Sequence, residues 1–396
     1  MHQTNTIAVI GAGIAGLTFA LAMARKGVEV TVFERAPQLQ EVGAGLQLSP
    51  NASRILQNLG VLDHVLQQSV APLNITIRRA NNLKLLSTVP LGAFALERWE
   101  APYLTVHRAD LQKALLAKVR TFPSISLISG AAVEDISLTS NGCLLRIVRE
   151  NGEQEIPFNI VIGADGVWSS ARAKLGGTAE SRYTGHIAWR AVLNDGGKIV
   201  PRDRVTTFVS RNFHLVSYPV RTGKEINLVA ITPAPPEAAS WTNDAGPARL
   251  ETAMAGSDPA LLRLIRHPST WTTWPIHEVP ATSPWTFGGR AVLIGDAAHA
   301  LSPHAAQGAA MAIEDAIVLA EKLTAGDDAS TALSSYEAIR RPRLRRVARR
   351  GEFNRFAWHA AGPVAIARDM VLSIRKPHQL AADLDWLYGY DARVGS

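Results

Sequence analysis

The chain has 396 residues, of which 47% are hydrophobic and 19% charged, and its formal net charge is +7. This balance is typical of globular proteins and excludes a disordered chain, while the length predicts two domains. Cys143 is the single cysteine, which excludes an internal disulfide and a thiolate metal cluster.

The positive charge is concentrated in eight arginines between positions 340 and 355, without which the formal charge would fall from +7 to −1. This segment lacks the regular aromatic interleaving of a surface that stacks on nucleic acid bases. We therefore expect a solvated or interface face of a helix, with acidic partners or substrate attraction as the alternative, and no nucleic acid.

The first 35 residues predict a strand at Ile7–Ile10, a helix at Ile14–Arg25 and a strand at Val28–Phe33. No Lys or Arg precedes this apolar run and glycines interrupt it, so we expect no signal peptide, no membrane span and a cytoplasmic protein. Later patterns predict these elements: a helix at Leu111–Arg120; strands at Ile125–Leu127, Ile156–Ile162, Ile187–Leu193, Val205–Val209, His214–Val220 and Ile226–Ile231; a helix near Leu250–Ile265; and a strand from Ala291. This order indicates a two-domain α/β protein whose first domain is interrupted by a β-rich insertion.

The motif GAGIAG at 11–16 stands directly between the first strand and the first helix. In such a motif the first glycine makes a tight turn, the second lets the backbone approach a pyrophosphate, and the third allows close helix–strand packing. Glu34, at the end of the second strand, is placed to bind ribose hydroxyls. These features predict a dinucleotide site and leave NAD and FAD open.

A second acid at a strand end favours FAD. Asp296 follows the strand at Ala291, and a helix begins after Gly308. FAD carries a ribityl chain and a flavin ring that need partners beyond the adenosine end. We expect Asp296 to bind ribityl or ribose hydroxyls, and the free N–H groups at Gly308 and Ala309 to face the flavin edge that becomes negative on reduction.

Three motifs in this order carry a family resemblance: GAGIAG at 11–16, IGADGVWSSAR at 162–172 and IGDAAHALSPHAAQG at 294–308. The chain resembles the single-component FAD-dependent aromatic hydroxylases (class A flavoprotein monooxygenases), and within them the salicylate and 3-hydroxybenzoate hydroxylase branch. The resemblance extends from about residue 6 to LDWLYGYD at 384–391.

The resemblance implies a glutathione-reductase-type (Rossmann-like) FAD-binding domain with an inserted, mainly β substrate domain and a C-terminal helical segment. The expected division gives 1–75, 100–182 and 283–396 to the FAD-binding domain, and 76–99 and 183–282 to the substrate domain.

The resemblance also implies a mechanism. NADH or NADPH reduces FAD, O2 then gives a flavin C4a-hydroperoxide, and its distal oxygen passes to an electron-rich aromatic ring; no metal is expected. In this family the middle motif touches both the FAD pyrophosphate and the passing nicotinamide nucleotide. The expected cofactor-binding residues are Gly11, Gly13, Ile14, Gly16, Glu34, Arg35, Gln47, Arg108, Val133, Asp165, Gly166, Arg172, Asp296, Gly308 and Ala309.

His214 aligns with a histidine that acts as catalytic base in the 3-hydroxybenzoate branch, and strand alternation places Tyr218 on the same face. A lone histidine in a strand is often structural, which is the alternative interpretation of His214. His304 is the second candidate for the base. Arg190 is expected to pair with a substrate carboxylate, with a structural ion pair as the alternative. Pro303 is expected to contact the substrate.

The chain departs from its relatives at three places. His299-Ala300 stands where relatives read His-Pro, Pro303 replaces a catalytic glutamine of one hydroxybenzoate relative, and Gln47 stands where some pyridine hydroxylases have histidine. The departures leave the substrate open within small phenolic or heteroaromatic acids, and the enzyme is expected as a monomer or homodimer. The alternatives are an epoxidase or quinone-ring hydroxylase of the same superfamily, and a flavin-binding redox sensor or interaction protein without turnover.

Overall fold

The computed structural model describes residues 6–39, 45–177, 180–194, 199–235 and 243–393. The strands of the first part are β1 (Ile7–Ile10), β2 (Val30–Glu34), β3 (Gly45–Leu48), β4 (Asn74–Arg79), β5 (Leu85–Pro90), β6 (Leu104–His107), β7 (Ile125–Ser129), β8 (Ala132–Thr139), β9 (Gly142–Arg149), β10 (Gly152–Phe158) and β11 (Ile160–Gly163). The later strands are β12 (Arg182–Leu193), β13 (Arg204–Val209), β14 (His214–Val220), β15 (Glu225–Pro233), β16 (Asn243–Ala245), β17 (Trp271–Glu278), β18 (Thr286–Phe287) and β19 (Ala291–Leu293).

The helices are α1 (Ile14–Ala24), α2 (Pro50–Asn58), α3 (Leu62–Leu66), α4 (Ala93–Trp99), α5 (Arg108–Val119), α6 (Ser170–Lys174), α7 (Pro247–Ala253), α8 (Pro259–Arg266), α9 (Asp296–His299), α10 (Gly308–Leu323), α11 (Ala329–Trp358), α12 (Gly362–Ile374), α13 (Pro377–Ala382) and α14 (Asp385–Tyr388). Two short 3₁₀ turns lie at Arg221–Gly223 and Pro303–Ala305. None of the described helices is both long and apolar enough to cross a membrane.

A six-stranded sheet in the order β18-β19-β11-β1-β2-β7 forms the first layer. The strands from β19 to β7 are parallel, and β18 pairs antiparallel at the edge. Parallel strands covered on both faces are apolar along their length, and β1 and β11 are buried throughout. Helix α1 is also buried at every residue because it packs against α5 and α10.

An eight-stranded sheet in the order β16-β17-β12-β15-β14-β13-β4-β5 forms the second layer. Its outer face packs on helices α7 and α8, where Leu215 and Leu228 share an apolar cluster with Leu250 and Leu261. Its inner face packs on the first layer, since Tyr218 belongs to the main core. The alternation of β14 therefore turns His214, Val216 and Tyr218 toward the layer that carries the glycine motif.

The α/β fold with a β-rich insertion and a C-terminal helical segment is confirmed, whereas the domain division stays a prediction. Two predicted elements are wrong in extent. The strand predicted at 156–162 is two strands, because the chain leaves a three-stranded sheet (β10-β9-β8) after Phe158 and enters the parallel sheet at Ile160. The helix predicted near 250–265 is broken, because Gly256 has a φ of 80° and Asp258 caps a new helix by accepting a hydrogen bond from Ala260 N.

Candidate active site

The carboxyl ends of the parallel strands bring the three motifs together. Ala164 N, after β11, donates to Ile10 O of β1 at 2.8 Å. Ile294 N, after β19, donates to Gly163 O of β11 at 2.9 Å. Each motif thus begins where one of three adjacent strands ends, at the edge where doubly wound α/β proteins bind nucleotides.

The three glycines of the first motif meet different steric demands. Gly11 has a φ of 104°, and a Cβ there would lie 2.7 Å from the carbonyl oxygen of Ala164. A Cβ at Gly16 would lie 2.0 Å from the carbonyl oxygen of Gly11. A Cβ at Gly13 would meet nothing within 4 Å, so the space before helix α1 and its buried first residue Ile14 is open. This open helix N-terminus fits a pyrophosphate.

The acid at the end of β2 is tied to the glycine loop. Glu34 accepts hydrogen bonds from Ala12 N and Ala36 N, each at 2.9 Å. A carboxylate has about four lone-pair sites, so both oxygens can accept further bonds from ribose hydroxyls. Arg35 beside it is exposed, and Val133 is buried in β8, which contacts β2. Their binding to FAD stays a prediction.

The two-stranded sheet of β3 and β6 places two further predicted residues. Gln47 lies in β3 opposite Thr105 of β6, and its Oε1 accepts a hydrogen bond from the Tyr103 hydroxyl at 2.6 Å. Arg108 is the half-buried first residue of α5, directly after β6. Neither the sheet nor the hydrogen bond could be predicted from local pattern, because β3 and β6 lie far apart in the sequence.

The middle motif has a positioning role that the sequence reasoning missed. The carboxylate of Asp165 caps helix α6, where Oδ2 accepts from Ala171 N at 2.9 Å. Arg172 is buried, and Nη1 donates to the carbonyl of Ala297 at 2.6 Å, which links the middle motif to the third. Burial lowers the pKa of Arg172, and Asp165 partly offsets this. Gly166 has a φ of 83°, and a Cβ on it would meet no atom within 4 Å. Contacts of these three residues with FAD or the nicotinamide nucleotide stay predictions.

The third motif brings Asp296 beside the start of α10. A Cβ on Gly308 would lie 4.0 Å from Asp296 Oδ1. Among the residues that the structure describes, the half-buried Asp296 carboxylate accepts no hydrogen bond. Gly308 is exposed and Ala309 half-buried, and the first N–H groups of a helix have no partners within it. A free carboxylate beside a free helix N-terminus suits a ligand that has both hydroxyl and carbonyl groups.

A buried ion network supports this third motif, and the sequence reasoning missed it. Arg340 of α11 binds Glu314 Oε2 at 2.6 Å and Asp315 Oδ1 at 2.7 Å, with all three side chains 0% exposed. Asp315 also accepts a hydrogen bond from Gly295 N at 2.9 Å and binds His299 Nε2. The expectation of a solvated arginine face is therefore wrong for Arg340, as it is for the buried Arg343, which binds Glu314 at 2.9 Å. Arginines at this spacing share the inner face of α11.

The inner face of the eight-stranded sheet contains a row of directly opposed residues from five strands. This row consists of Arg190, Val229, Val216, Thr207 and Ile77. Arg190, Val216, Val229 and Ile77 are partly exposed, so the row forms an accessible floor rather than sealed core. The Arg190 guanidinium also lies over the Trp274 ring at 3.6 Å, a cation–π contact.

Tyr218 flanks this row on one side, two residues after Val216 in β14. A Cβ on Gly45 would lie 2.6 Å from Tyr218 Cε2, and Gly45 N donates to Asn227 Oδ1 at 2.7 Å. Burial raises the pKa of Tyr218, although Arg190 acts in the opposite direction. Tyr218 therefore stays protonated and is a hydrogen-bond donor rather than a base. Asn227 Nδ2 is buried and has no hydrogen-bond partner among the described residues.

A histidine cluster flanks the row on its other side, beginning with His214, two residues before Val216 in β14. His214 Nδ1 lies 3.0 Å from His359 Nε2, just after helix α11. The ring centroid of His304, which follows the exposed Pro303, lies 5.1 Å from that of His214. His186 of β12 stacks on His359 with centroids 6.4 Å apart. Sequence reasoning named His214 and His304 and missed His359 and His186, because 145 residues separate the bonded pair.

Burial and mutual proximity keep His214, His304 and His359 neutral. Burial, followed by the neighbouring imidazoles, lowers the pKa of His214 well below its usual value. The same causes, together with Arg355, lower the pKa of His304 to about 3 and of His359 to about 4. Each neutral imidazole therefore carries one ring nitrogen with a lone pair at neutral pH.

Two features at the carboxyl edge of the parallel sheet fit FAD: the open space at Gly13 and the free carboxylate of Asp296. The fold and site thus define a flavoprotein. The sequence matches the family described as FAD binding domain over residues 3–351, and the chain belongs to this family.

Individual relatives match along almost the whole chain. The chain is 34% identical to 3-amino-4-hydroxybenzoate 2-monooxygenase of Streptomyces platensis, over 98% of this chain and 97% of the relative. It is 33% identical to 3-hydroxybenzoate 6-hydroxylase 1 of Aquipseudomonas alcaligenes, over 98% of each. The crystal structure of Klebsiella pneumoniae HpxO complexed with FAD and uric acid matches with a TM-score of 0.83 at 25% identity, over 97% of this chain and 96% of that chain.

The protein is an FAD-dependent monooxygenase that uses NAD(P)H and O2. The predicted family, enzyme class and cofactors are confirmed. The alternative of a flavin-binding protein without turnover has no support.

Proposed function

We propose that the enzyme hydroxylates a small, anionic aromatic acid of the hydroxybenzoate type, with His214 as the base that takes the phenolic proton. One observation carries this proposal. The neutral, buried His214 lies on the same partly exposed sheet face as Arg190, and its ring faces His304 in the loop that leads into α10. The relatives named above act on amino- and hydroxybenzoates, which supports the substrate class.

The cofactor is proposed to lie along the carboxyl edge of the parallel sheet. Glu34 would bind the adenosine ribose, the glycine loop the pyrophosphate, and Asp296 the ribityl hydroxyls. Bound FAD supplies the redox chemistry, taking electrons from NAD(P)H and activating O2. The backbone N–H groups of Gly308 and Ala309 would stabilise negative charge on the flavin edge.

His214 is proposed to act on the substrate hydroxyl. If its Nδ1–H donates to His359 Nε2, which lies 3.0 Å away, its own Nε2 has the free lone pair. Removing the phenolic proton pushes electron density into the ring, which makes the ring carbon a better nucleophile. The centroid of the Trp358 ring lies 4.9 Å from that of the His214 ring, so Trp358 would help to exclude water from this step.

Arg190 is proposed to bind the substrate carboxylate. It lies on the same sheet face as His214, in the neighbouring row across the sheet. A guanidinium can bind a carboxylate through two parallel hydrogen bonds, and the cation–π contact with Trp274 would hold its plane in place. The net charge of +7 would favour the approach of an anion.

We further propose that the enzyme works in the cytoplasm, which keeps thiols reduced. Its one cysteine is buried and unpaired, and burial raises the pKa of that Cys143 thiol to about 11. An unreactive, reduced thiol is compatible with the cytoplasm.

Product formed per NADH consumed tests the role of His214. In His214→Ala, FAD content and substrate-stimulated NADH oxidation should stay near wild type, while hydroxylation falls by roughly 10²–10⁴-fold, the usual contribution of a positioned base. Electrons would then appear as hydrogen peroxide. His267→Ala, at an exposed histidine outside the site, is the matched control. An unchanged ratio of product to NADH in His214→Ala would contradict the proposal and make His304 the next candidate.

A panel of phenolic and heteroaromatic acids, with product masses, tests the substrate class. Stimulation of NADH oxidation by hydroxybenzoates, and not by the matching phenols without a carboxylate, is the expected result. Stimulation by alkenes or quinones instead would favour the epoxidase or quinone-ring hydroxylase alternative.

A further inference from the structure

The histidine cluster has a chemistry that the proposed hydroxylation does not use. One ring nitrogen each of His214, His304 and His359 lies within 4.8 Å of the other two. We propose that these three histidines bind one first-row transition-metal ion, with Zn²⁺ as the prototype, and that the bound ion inhibits hydroxylation. The inhibitory half rests on the proposed role of His214, whereas the binding half does not.

The distances are close to those of a zinc site. Tetrahedral Zn–N bonds of about 2.0–2.1 Å place ligand nitrogens roughly 3.3 Å apart. His214 Nδ1 and His359 Nε2 are already 3.0 Å apart, and a metal ion would replace the proton between them. His304 would need to approach by about 1.5 Å at most by this geometry. It stands on the short 3₁₀ turn Pro303–Ala305, outside any long element.

The outer contacts of His304 are those of a metal ligand. Its Nδ1 lies 2.6 Å from Ser302 Oγ, and its Nε2 is buried without a hydrogen-bond partner among the described residues. Metal-bound histidines commonly have one ring nitrogen fixed by such a partner and the other directed to the ion. A buried lone pair without a partner is costly, and metal binding would satisfy it.

A surface pocket opens onto His359, one of the three proposed ligands. The pocket of about 470 Å³ is lined by His186, His359, Arg355, Glu352 and Phe356, among others. Water from this pocket could fill the fourth position of a tetrahedral ion, as it does at open zinc sites.

The ligand type determines which ion binds, and a nearby positive charge affects how tightly it binds. Neutral imidazoles suit Zn²⁺, Cu²⁺, Co²⁺ and Ni²⁺, whereas Mg²⁺ prefers oxygen ligands. The set contains no carboxylate, and Arg355 lies close enough to lower the pKa of both His304 and His359. Its positive charge opposes a cation, so removing it should strengthen metal binding.

The binding test uses untagged, FAD-loaded enzyme titrated with Zn²⁺ against a chromophoric chelator. We expect one Zn²⁺ per chain with a dissociation constant below about 10 µM, no binding of Mg²⁺, and weakening of at least about 30-fold in His304→Gln and in His359→Gln. His378→Gln, at an exposed histidine, is the matched control and should bind as wild type does. Arg355→Gln should bind Zn²⁺ about fivefold more tightly because the opposing charge is gone.

Two readouts separate the claims. Co²⁺ bound to wild-type enzyme should give the intense visible absorption of tetrahedral nitrogen coordination, which needs no variant to fold. The absence of saturable Zn²⁺ binding, or equal binding by wild type and a folded His359→Gln, would overturn the metal site and leave the role of His214 standing. Tight Zn²⁺ binding that leaves product formation unchanged would keep the site, and would overturn both the inhibition and His214 as the base.

Discussion

Arg340→Leu removes a guanidinium that binds two buried carboxylates at once. Arg340, Glu314 and Asp315 are each 0% exposed, so water cannot replace the lost cation. Removing one partner of a buried ion pair costs about 3–5 kcal/mol, a large part of the roughly 5–15 kcal/mol that stabilises a typical protein. Glu314 keeps Arg343, and Asp315 keeps His299, which places the expected loss near 3 kcal/mol rather than above 5.

The same substitution should change the response to acid. Burial alone would raise the pKa of Asp315, but His299 and Arg340 outweigh it and lower that pKa to about 2. The pKa of Glu314 is lowered in the same way, against its burial, by Arg340 and Arg343. A carboxyl group with a depressed folded pKa stabilises the protein above its unfolded value and loses that contribution as the pH falls through the folded value. Wild type should therefore lose it between about pH 4 and pH 2, and Arg340→Leu should lose stability at a higher pH.

Urea unfolding at pH 7, followed by tryptophan fluorescence and far-UV circular dichroism, measures the first effect, and acid titration measures the second. Arg345→Leu, at an exposed position of the same helix, is the control and should stay within about 0.5 kcal/mol of wild type. FAD retention should also fall in Arg340→Leu, because Asp315 would hold Gly295 and His299 less firmly. A free energy of unfolding within about 1 kcal/mol of wild type would refute the reasoning, since it lies below the range for a broken buried pair.

Three further substitutions probe the predicted contacts. Asp296→Ala should purify largely colourless, because a ligand of the ribityl chain is lost; stoichiometric FAD at wild-type affinity would contradict that placement. Asp165→Ala should slow flavin reduction by NAD(P)H more than reoxidation by O2 in stopped-flow traces, and a normal reduction rate would restrict Asp165 to capping α6. Arg190→Gln should raise the KM for a carboxylate substrate by roughly 10–100-fold, the usual effect of losing a charged hydrogen bond, with little change for the phenol that lacks the carboxylate; an equal change for both would contradict the proposed contact between Arg190 and the substrate carboxylate.

Local signals predicted the backbone geometry at the carboxyl ends of the parallel strands, whereas the contacts with FAD stay predictions. A glycine demanded by a tight turn or a close approach, such as Gly11 or Gly16, is required by its immediate chain neighbours or by the adjacent strand. Asp296 and Gly308 were recognised because a strand end and a helix start are both visible in a short segment. The rules that place strand ends at one edge of a sheet then bring these pieces together.

The histidine cluster and the ion network could not be predicted in this way. His359 follows the last turn of a 30-residue helix, and no pattern around it indicates that the helix ends beside β14. Arg340 was counted with its exposed neighbours because composition does not show which arginines face inward. Burial of a charge depends on a partner in another element, here Glu314 and Asp315 of α10.

The five-residue row on the inner sheet face, which we propose as the floor of the substrate site, has a consequence for how substrate range can evolve. Each position, from Arg190 to Ile77, belongs to a different strand, so a single codon change alters the shape of the floor without moving the backbone. Adjacent strands lie about 4.8 Å apart, so neighbours such as Val216 and Val229 should show epistasis, whereas positions two or more strands apart should vary independently. To select variants for other aromatic substrates, directed evolution should therefore randomise adjacent pairs of positions along the row and then combine the best substitutions from its two ends.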